Sequence, residues 1–123
     1  MGTPGPILVV EDDEDIRETI AAVLADEGHR VVLAANGAEA IAYVRREGAL
    51  RPRLILLDLM MPVMSGWEFS AELRKDAASA TIPVVVLSGD AKVEEKAAGL
   101  GAADLLRKPI SLDKLFELVG RFA

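Results

Sequence analysis

Short runs of branched apolar residues alternate along the chain with segments in which apolar residues recur every three or four positions. The apolar runs lie at 7–10, 30–34, 53–57, 82–87 and 104–107. Continuous apolar runs of this length are typical of strands covered on both faces, as in a parallel sheet. The first, third and fourth runs predict central strands, and the weaker second and fifth runs predict strands nearer the edges.

The segments between the runs carry helical signals. Apolar residues share one face of the first segment, and Gly28 follows as a stop signal. Candidate N-caps precede four predicted helices: Asp13, Asn36, Ser65 and Ser111. Glu39 and Glu68 follow two of these caps by three residues, which is the pattern of a capping box. An alanine-rich stretch at 92–100 predicts a further, less amphipathic helix.

The resulting order is a strand followed by a helix, five times over. This order predicts an α/β fold with a parallel sheet, right-handed crossovers and helices on both faces. The sheet must be open, because an eight-stranded barrel needs about 250 residues, whereas the chain has 123. We expect a disordered leader at 1–6 and one domain at 7–123.

Composition excludes several classes of function. A net charge of -6 and an aromatic content of 4% argue against binding nucleic acid. No apolar run approaches the ~18 residues of a membrane span, and the amino terminus lacks the features of a signal peptide. The absence of cysteine excludes disulfides and thiolate chemistry. It also suits a reducing compartment, so we expect a cytoplasmic protein.

Polar residues follow the predicted strands where ligands of open parallel sheets bind, at the carboxyl ends. These residues are Glu11, Asp12, Asp58, Ser88, Gly89 and Lys108. A serine or a Lys-Pro pair in such a position is by itself usually a loop residue. Asp58 is harder to explain in this way, because a carboxylate between two apolar stretches is costly to bury without a partner.

Clustered carboxylates repel one another unless some are protonated or a cation neutralises them. An oxygen-only site with few protein ligands suits Mg²⁺. A lysine, a hydroxyl and a backbone N–H beside such a site can hold the oxygens of a phosphoryl group, and carboxylates are known phosphoryl acceptors. These residue types together predict Mg²⁺-dependent transfer of a phosphoryl group to Asp58.

From about Ile7 to Phe122, the sequence resembles the receiver domain of bacterial response regulators in two-component signalling. The motifs that carry the resemblance are Leu8-Val9-Val10-Glu11-Asp12, Leu57-Asp58-Leu59-Met60-Met61-Pro62, Gly66, Val86-Leu87-Ser88-Gly89, Gly101-Ala102 and Lys108-Pro109. Each motif is weak alone, but their joint order and spacing make a strong match. The resemblance implies a flavodoxin-like (βα)5 doubly wound sheet with strand order 2-1-3-4-5.

The resemblance also implies a metal site. Asp12 would bind Mg²⁺ directly, and Glu11 would bind it through water. Asp58 and the backbone carbonyl of Met60 would complete the ligands from the protein.

For the phosphoryl group, the resemblance implies that Asp58 accepts it from a histidine of a sensor kinase or a phosphotransfer protein. Lys108 would pair with the phosphoryl oxygens, and Ser88 would be the switch hydroxyl, next to Gly89. The Lys108-Pro109 bond is expected to be cis. The kinase and the downstream protein target stay open, as does the oligomeric state.

Two positions depart from the family pattern. Leu105 stands where the family usually has Tyr or Phe, and a leucine cannot give the ring movement that usually accompanies the switch hydroxyl. Met60 and Asp90 occupy positions that tune phosphoryl lifetime in the family. Because an apolar Met60 cannot position water, we expect slow self-dephosphorylation and a faster rate for Met60→Asn.

Two other functions compete with the phosphoacceptor. A pseudo-receiver would only bind partners, without phosphorylation; the intact polar set argues against it. A phosphohydrolase with Asp58 as nucleophile, of the haloacid dehalogenase type, would need an acid two residues later, where this chain has Met60. We therefore expect no turnover of an external substrate, only autocatalysed phosphorylation and dephosphorylation.

Overall fold

The computed structural model describes residues 5–46, 48, 50–61, 63–90, 92, 94–95 and 98–122. Strands and helices alternate in the order β1 (Ile7–Val10), α1 (Glu14–Asp26), β2 (Val31–Ala34), α2 (Gly37–Arg45), β3 (Leu54–Asp58), α3 (Gly66–Arg74), β4 (Val84–Ser88), β5 (Asp104–Arg107) and α4 (Leu112–Phe122). Two 3-10 turns precede the last two strands, at Ser79–Thr81 and Ala98–Leu100.

The five strands form one parallel sheet in the order β2-β1-β3-β4-β5, which confirms the predicted fold and strand order. In its register, Val10 pairs with Leu57, and Asp58 pairs with Leu87. Neighbouring strands therefore end at nearly the same level. The residues that follow β1, β3, β4 and β5 meet along one rim of the sheet.

Two apolar cores cover the two faces of the sheet. In β1, Leu8 and Val10 point into the core that includes residues of α2 and α3, whereas Ile7 and Val9 point into the core that includes residues of α1 and α4. Because both faces are covered, every residue of this strand is buried, which explains the absence of apolar–polar alternation. Edge strand β2 is only partly covered, and Leu33 is 42% exposed.

The predicted N-cap residues directly precede the helices and accept hydrogen bonds from their first turns. Backbone N–H groups donate to the side chains of Asp13, Asn36 and Ser65. The capping box at the start of α3 is complete. Of the two hydrogen bonds predicted for the capping box of α2, the one from the N–H of Glu39 to Asn36 is present. The other prediction is wrong, because the Glu39 carboxylate accepts from the N–H of Ala35 and not from that of Asn36. The Ser111 hydroxyl accepts from the N–H of Lys114 at 3.4 Å.

Two predicted segments are described only in part. Of the helix predicted at 92–100, Lys92 and 94–95 have helical backbone and Ala98–Leu100 forms a 3-10 turn; the remainder lies outside the described residues. Residues 1–4 of the predicted leader also lie outside them. Its last residue, Pro6, is buried, and its carbonyl accepts the N–H of Arg53 at 3.0 Å. No helix in the described ranges is long and apolar enough to cross a membrane.

Candidate phosphoryl and metal site

Three carboxylates meet at the rim of the sheet. Glu11 and Asp12 directly follow β1, and Asp58 is the last residue of β3. One oxygen from each of the three lies within 4.8 Å of the other two. Glu11 is fully buried, Asp58 is 5% exposed and Asp12 is exposed. The central pairing of β1 with β3 thus brings together acids that are far apart in the sequence.

Lys108 reaches this acidic cluster from the end of β5. Its ammonium Nζ donates to Glu11 Oε1 at 2.7 Å and to Asp58 Oδ2 at 3.3 Å. The Lys108-Pro109 peptide bond is cis, as the resemblance implies. The structure therefore places Glu11, Asp12, Asp58 and Lys108 in one group.

Burial and mutual repulsion shift the pKa values of this group. Desolvation of the buried carboxyl, followed by the neighbouring Asp58 carboxyl, raises the pKa of Glu11 to about 8 against the opposing effect of Lys108. Desolvation and Asp58 also raise the pKa of Asp12. Burial alone would lower the pKa of Lys108, but its contacts with Glu11 and Asp58 outweigh burial and raise it. One lysine thus incompletely compensates three carboxyl groups.

The donor set fits a hard divalent cation. All three side chains offer carboxylate oxygens, the ligands that Mg²⁺ prefers. Glu11 Oε2 is buried and has no hydrogen-bond partner within the part of the chain that the structure describes. Such an atom is costly unless a cation or water satisfies it. The residues present are therefore compatible with a bound Mg²⁺.

Ser88, Gly89 and Asp90 line the same depression, of about 380 Å³, together with Met60 and Lys108. Ser88 is buried, and its hydroxyl donates to the carbonyl of Asp90 at 3.0 Å while accepting the N–H of Asp90 at 3.2 Å. The Ser88 hydroxyl therefore lies at the predicted site, but its hydrogen bonds are to the loop that follows β4. Asp90, in that loop, is exposed.

Met60 and Leu105 differ in their relation to the site. The N–H of Met60 donates to Asp58 Oδ1 at 3.0 Å, and the residue is 63% exposed. Leu105 is half-buried and packs against the core on the α2 and α3 side. The described structure thus places Met60 at the site and Leu105 against that core.

Arg17 supports the site, although its sequence position did not single it out. Its guanidinium donates to the carbonyl of Glu11 at 2.9 Å and contacts that of Asp12 at 3.5 Å. The available signal is a basic residue one turn into a helix that follows an acidic strand end. Sequence patterns do not show that this cation binds backbone carbonyls.

Comparison with known proteins agrees with the fold. The family model for the response regulator receiver domain matches residues 7–120. The chain therefore belongs to the receiver domain family of two-component signalling. Receiver domains are signalling modules that interact with histidine kinases or phosphotransfer proteins.

Individual relatives are similar over nearly the whole chain. PilH of Pseudomonas aeruginosa is 32% identical over 115 residues, which are 92% of this chain and 93% of PilH. Among solved structures, chemotaxis protein CheY4 of Vibrio cholerae has a TM-score of 0.87 at 28% identity, covering 98% of this chain and 100% of the other. The Mn²⁺-bound form of response regulator Rcp1 has a TM-score of 0.77 at 32% identity, covering 94% and 89%.

Proposed function

We propose that this receiver accepts a phosphoryl group on Asp58 from a histidine of a sensor kinase or a phosphotransfer protein, with Mg²⁺ as cofactor. The observation that carries the proposal is the meeting of three carboxylates with the Lys108 ammonium at one rim. A cation site beside a buried carboxylate and a lysine is what phosphoryl transfer to an aspartate needs. The phosphorylated form would change contacts with a downstream protein. The proposed compartment is the cytoplasm, which a chain without cysteine suits.

The proposed metal ligands are oxygens already at the rim. Asp12 and Asp58 would bind Mg²⁺ directly, Glu11 through water, and Met60 through its backbone carbonyl. Bound there, Mg²⁺ would neutralise charge on the phosphoryl oxygens. Two observations support this assignment: Glu11 Oε2 has no hydrogen-bond partner among the residues that the structure describes, and the related Rcp1 has a Mn²⁺-bound form.

In the transfer step, an oxygen of Asp58 attacks phosphorus and the bond from phosphorus to the donor imidazole nitrogen breaks. The nitrogen keeps the electron pair, and Asp58 becomes an acyl phosphate. Lys108 would balance the charge of the transferred group, and the N–H of Gly89 would donate to one of its oxygens. The Ser88 hydroxyl would break its hydrogen bonds with the backbone of Asp90 and turn to the phosphoryl group. Ser88 would therefore be the residue that changes conformation on phosphorylation.

The departures from the family pattern define how this receiver would differ. Leu105 has no ring that could follow Ser88 inward, so the signal would be read from the loop after β4 and not from an aromatic switch. The Met60 side chain offers no strong hydrogen bond to a water molecule, so the acyl phosphate on Asp58 would be long-lived. Exposed Asp90 is the other position expected to tune this lifetime.

The test is phosphorylation with Mg²⁺ and a small phosphodonor, read by intact mass. We expect the wild type to gain one phosphoryl group and Asp58→Asn to gain none. Asp13→Asn is the matched control, because Asp13 lines the same depression but caps α1, and asparagine caps equally well. This control is expected to be labelled like the wild type.

Omitting Mg²⁺ or adding a chelator is expected to abolish labelling. Labelling of Asp58→Asn would refute the assignment of the acceptor. A wild type that stays unlabelled while still binding Mg²⁺ would favour the alternative, a pseudo-receiver that binds partners without phosphorylation.

A further inference from the structure

The side chain of Met60 is open to solvent although the residue lines the acidic depression. Met60 is 63% exposed, whereas Met61 is 8% exposed and half-buried Met64 packs against the core. All three follow β3 within a few residues. Each carries the same thioether, so the difference to consider is the accessibility of the side chain. A thioether reacts with dissolved oxidants in proportion to its accessibility.

The backbone keeps this accessible thioether near Asp58. The N–H of Met60 donates to Asp58 Oδ1 at 3.0 Å, which fixes the start of the side chain beside the proposed phosphoacceptor. Met60 also lines the depression that contains Lys108. A chemical change at the Met60 sulfur would therefore change the polarity of the proposed phosphoryl site.

We propose that Met60 is a reversible oxidation site and that its sulfoxide shortens the lifetime of the phosphoryl group on Asp58; the second part rests on the proposed function. The oxidant is a hydroperoxide such as hydrogen peroxide. A sulfur lone pair attacks one oxygen of hydrogen peroxide, and the O–O bond breaks. The departing hydroxide takes the proton of the transferred hydroxyl group and forms water, which leaves the oxygen on sulfur. The sulfur loses two electrons and gains one oxygen, and the peroxide is reduced.

The expected effect follows from the change in hydrogen bonding. A thioether accepts hydrogen bonds weakly, whereas a sulfoxide oxygen is polar and accepts them well. At Met60 this oxygen would hold a water molecule next to the acyl phosphate without adding a charge to an already acidic group. The polar variant Met60→Gln is expected to shorten the lifetime as the sulfoxide does, whereas Met60→Leu has no sulfur to oxidise and is compared only with itself before and after peroxide.

The first experiment measures where peroxide reacts. The wild type is treated with limiting hydrogen peroxide and the sites are located by fragmenting the peptide that spans residues 54–74. We expect Met60 to oxidise about tenfold faster than Met61 or Met64, because only Met60 is widely exposed. Equal rates at the three residues, or an earlier reaction at Met61 or Met64, would overturn the assignment.

The second experiment measures decay of the phosphorylated protein before and after peroxide. For the wild type we expect decay about threefold faster after treatment, through one added hydrogen bond to water. We expect recovery on incubation with methionine sulfoxide reductase and a dithiol, which is oxidised to a disulfide while the sulfoxide oxygen leaves as water. Met60→Leu, compared with itself, should decay at the same rate before and after treatment. Unchanged decay of the oxidised wild type would overturn the effect on lifetime.

The two experiments separate this inference from the proposed function. If Asp58 takes no phosphoryl group, the proposed function fails, and the effect on lifetime fails with it. The order of oxidation is still measured and still decides whether Met60 is the reactive residue.

Discussion

The two halves of the rim are built differently. In the charged half, Lys108 bonds to Glu11 and Asp58 across 97 and 50 residues of sequence. In the hydroxyl half, Ser88 bonds to Asp90, two residues away. Residues from three different strand ends therefore form the charged half, whereas the Ser88 hydroxyl, at the end of β4, is bonded to the loop that directly follows that strand.

This difference assigns separate tasks to the two halves. Rearranging the charged half means moving strands whose residues are fully buried, such as β1 and β3, so this half is suited to binding a cation and a phosphoryl group in fixed positions. Rearranging the hydroxyl half costs only local hydrogen bonds, each worth about 0.5–1.5 kcal/mol. The hydroxyl half is therefore the part that can report what the charged half has bound.

The largest effect on stability is expected from a contrast of two glycines. Gly66 packs against the backbone of Asp58 and Leu59, and Gly89 directly follows Ser88. A Cβ on Gly66 would lie 2.6 Å from Leu59 Cα and 2.7 Å from the carbonyl oxygen of Asp58, whereas a Cβ on Gly89 would lie 3.8 Å from the Lys108 side chain. We expect Gly66→Ala to lower the free energy of unfolding by about 1–3 kcal/mol through overpacking.

Gly89→Ala is the matched control and should change stability by less than about 0.5 kcal/mol. Urea unfolding of both variants, followed by Trp67 fluorescence, measures the difference. Equal losses in the two variants would mean that the charged half is no more tightly packed than the hydroxyl half.

The next effect concerns charge. Desolvation and, after it, the neighbouring Asp58 raise the pKa of buried Glu11, as expected for two carboxyl groups that repel each other. Asp58→Asn should therefore raise the free energy of unfolding of the metal-free protein by about 1 kcal/mol. The same variant should lose most of the stabilisation that Mg²⁺ gives to the wild type.

Asp90→Asn, at an exposed position of the hydroxyl half, should leave both the metal-free stability and the stabilisation by Mg²⁺ close to their wild-type values. Thermal unfolding with and without Mg²⁺ compares the three proteins. A less stable Asp58→Asn without metal would show that Lys108 already neutralises the cluster.

The loop after β3, which leaves the charged half, contains a residue with an unusual backbone conformation. Val63, in the loop after β3, has a φ of 69° and is 81% exposed; among the described residues it alone has a positive φ without being glycine. A β-branched residue is strained in this left-handed region, and asparagine tolerates it better. We expect Val63→Asn to raise the free energy of unfolding by about 0.5–1 kcal/mol.

Val63→Ala separates this explanation from the removal of an exposed apolar side chain. Alanine keeps a Cβ in the left-handed conformation, so it should gain less stability than asparagine. Chemical denaturation of the two variants gives the comparison, and an equal gain would contradict backbone strain as the cause.

The smallest expected effect comes from a surface ion pair, for contrast with the buried charged half. Hydrogen bonds from Lys75 and Arg45 lower the pKa of Glu72. A lowered pKa adds stability above the usual glutamate range, and this stability is lost as the pH falls through the folded-state pKa. Glu72→Gln should therefore have a slightly lower Tm than the wild type near neutral pH and an equal Tm in strong acid. A difference that persists in acid would show that the contribution is not electrostatic.

Local sequence patterns predicted most of the fold because their causes are local. The buried runs of β1 and β3 and the capping residues Asp13 and Ser65 act within a few residues of themselves. The incomplete capping box of α2 shows the limit of such reasoning. A glutamate three residues after a cap has two backbone N–H groups within reach, and the pattern does not say which one it binds.

The candidate site was predictable for a topological reason. Once the strands run parallel, their carboxyl ends share one rim, so Glu11, Asp58 and Lys108 had to lie near one another. The pattern of residues could not show that the Ser88 hydroxyl bonds to Asp90. That choice depends on the path of a loop, and several paths are compatible with the same sequence.

The amino-acid sequence by itself determined which segments are apolar, where the strands end and which chemical groups follow them, because hydrophobic pattern and strand period are properties of short segments. Only the tertiary structure decided the state of those groups. It left one oxygen of Glu11 buried among the described residues without a partner, joined Lys108 to two acids from different strands, and exposed Met60 beside them. Desolvation and hydrogen bonding depend on every neighbour in space, and these neighbours come from distant parts of the chain.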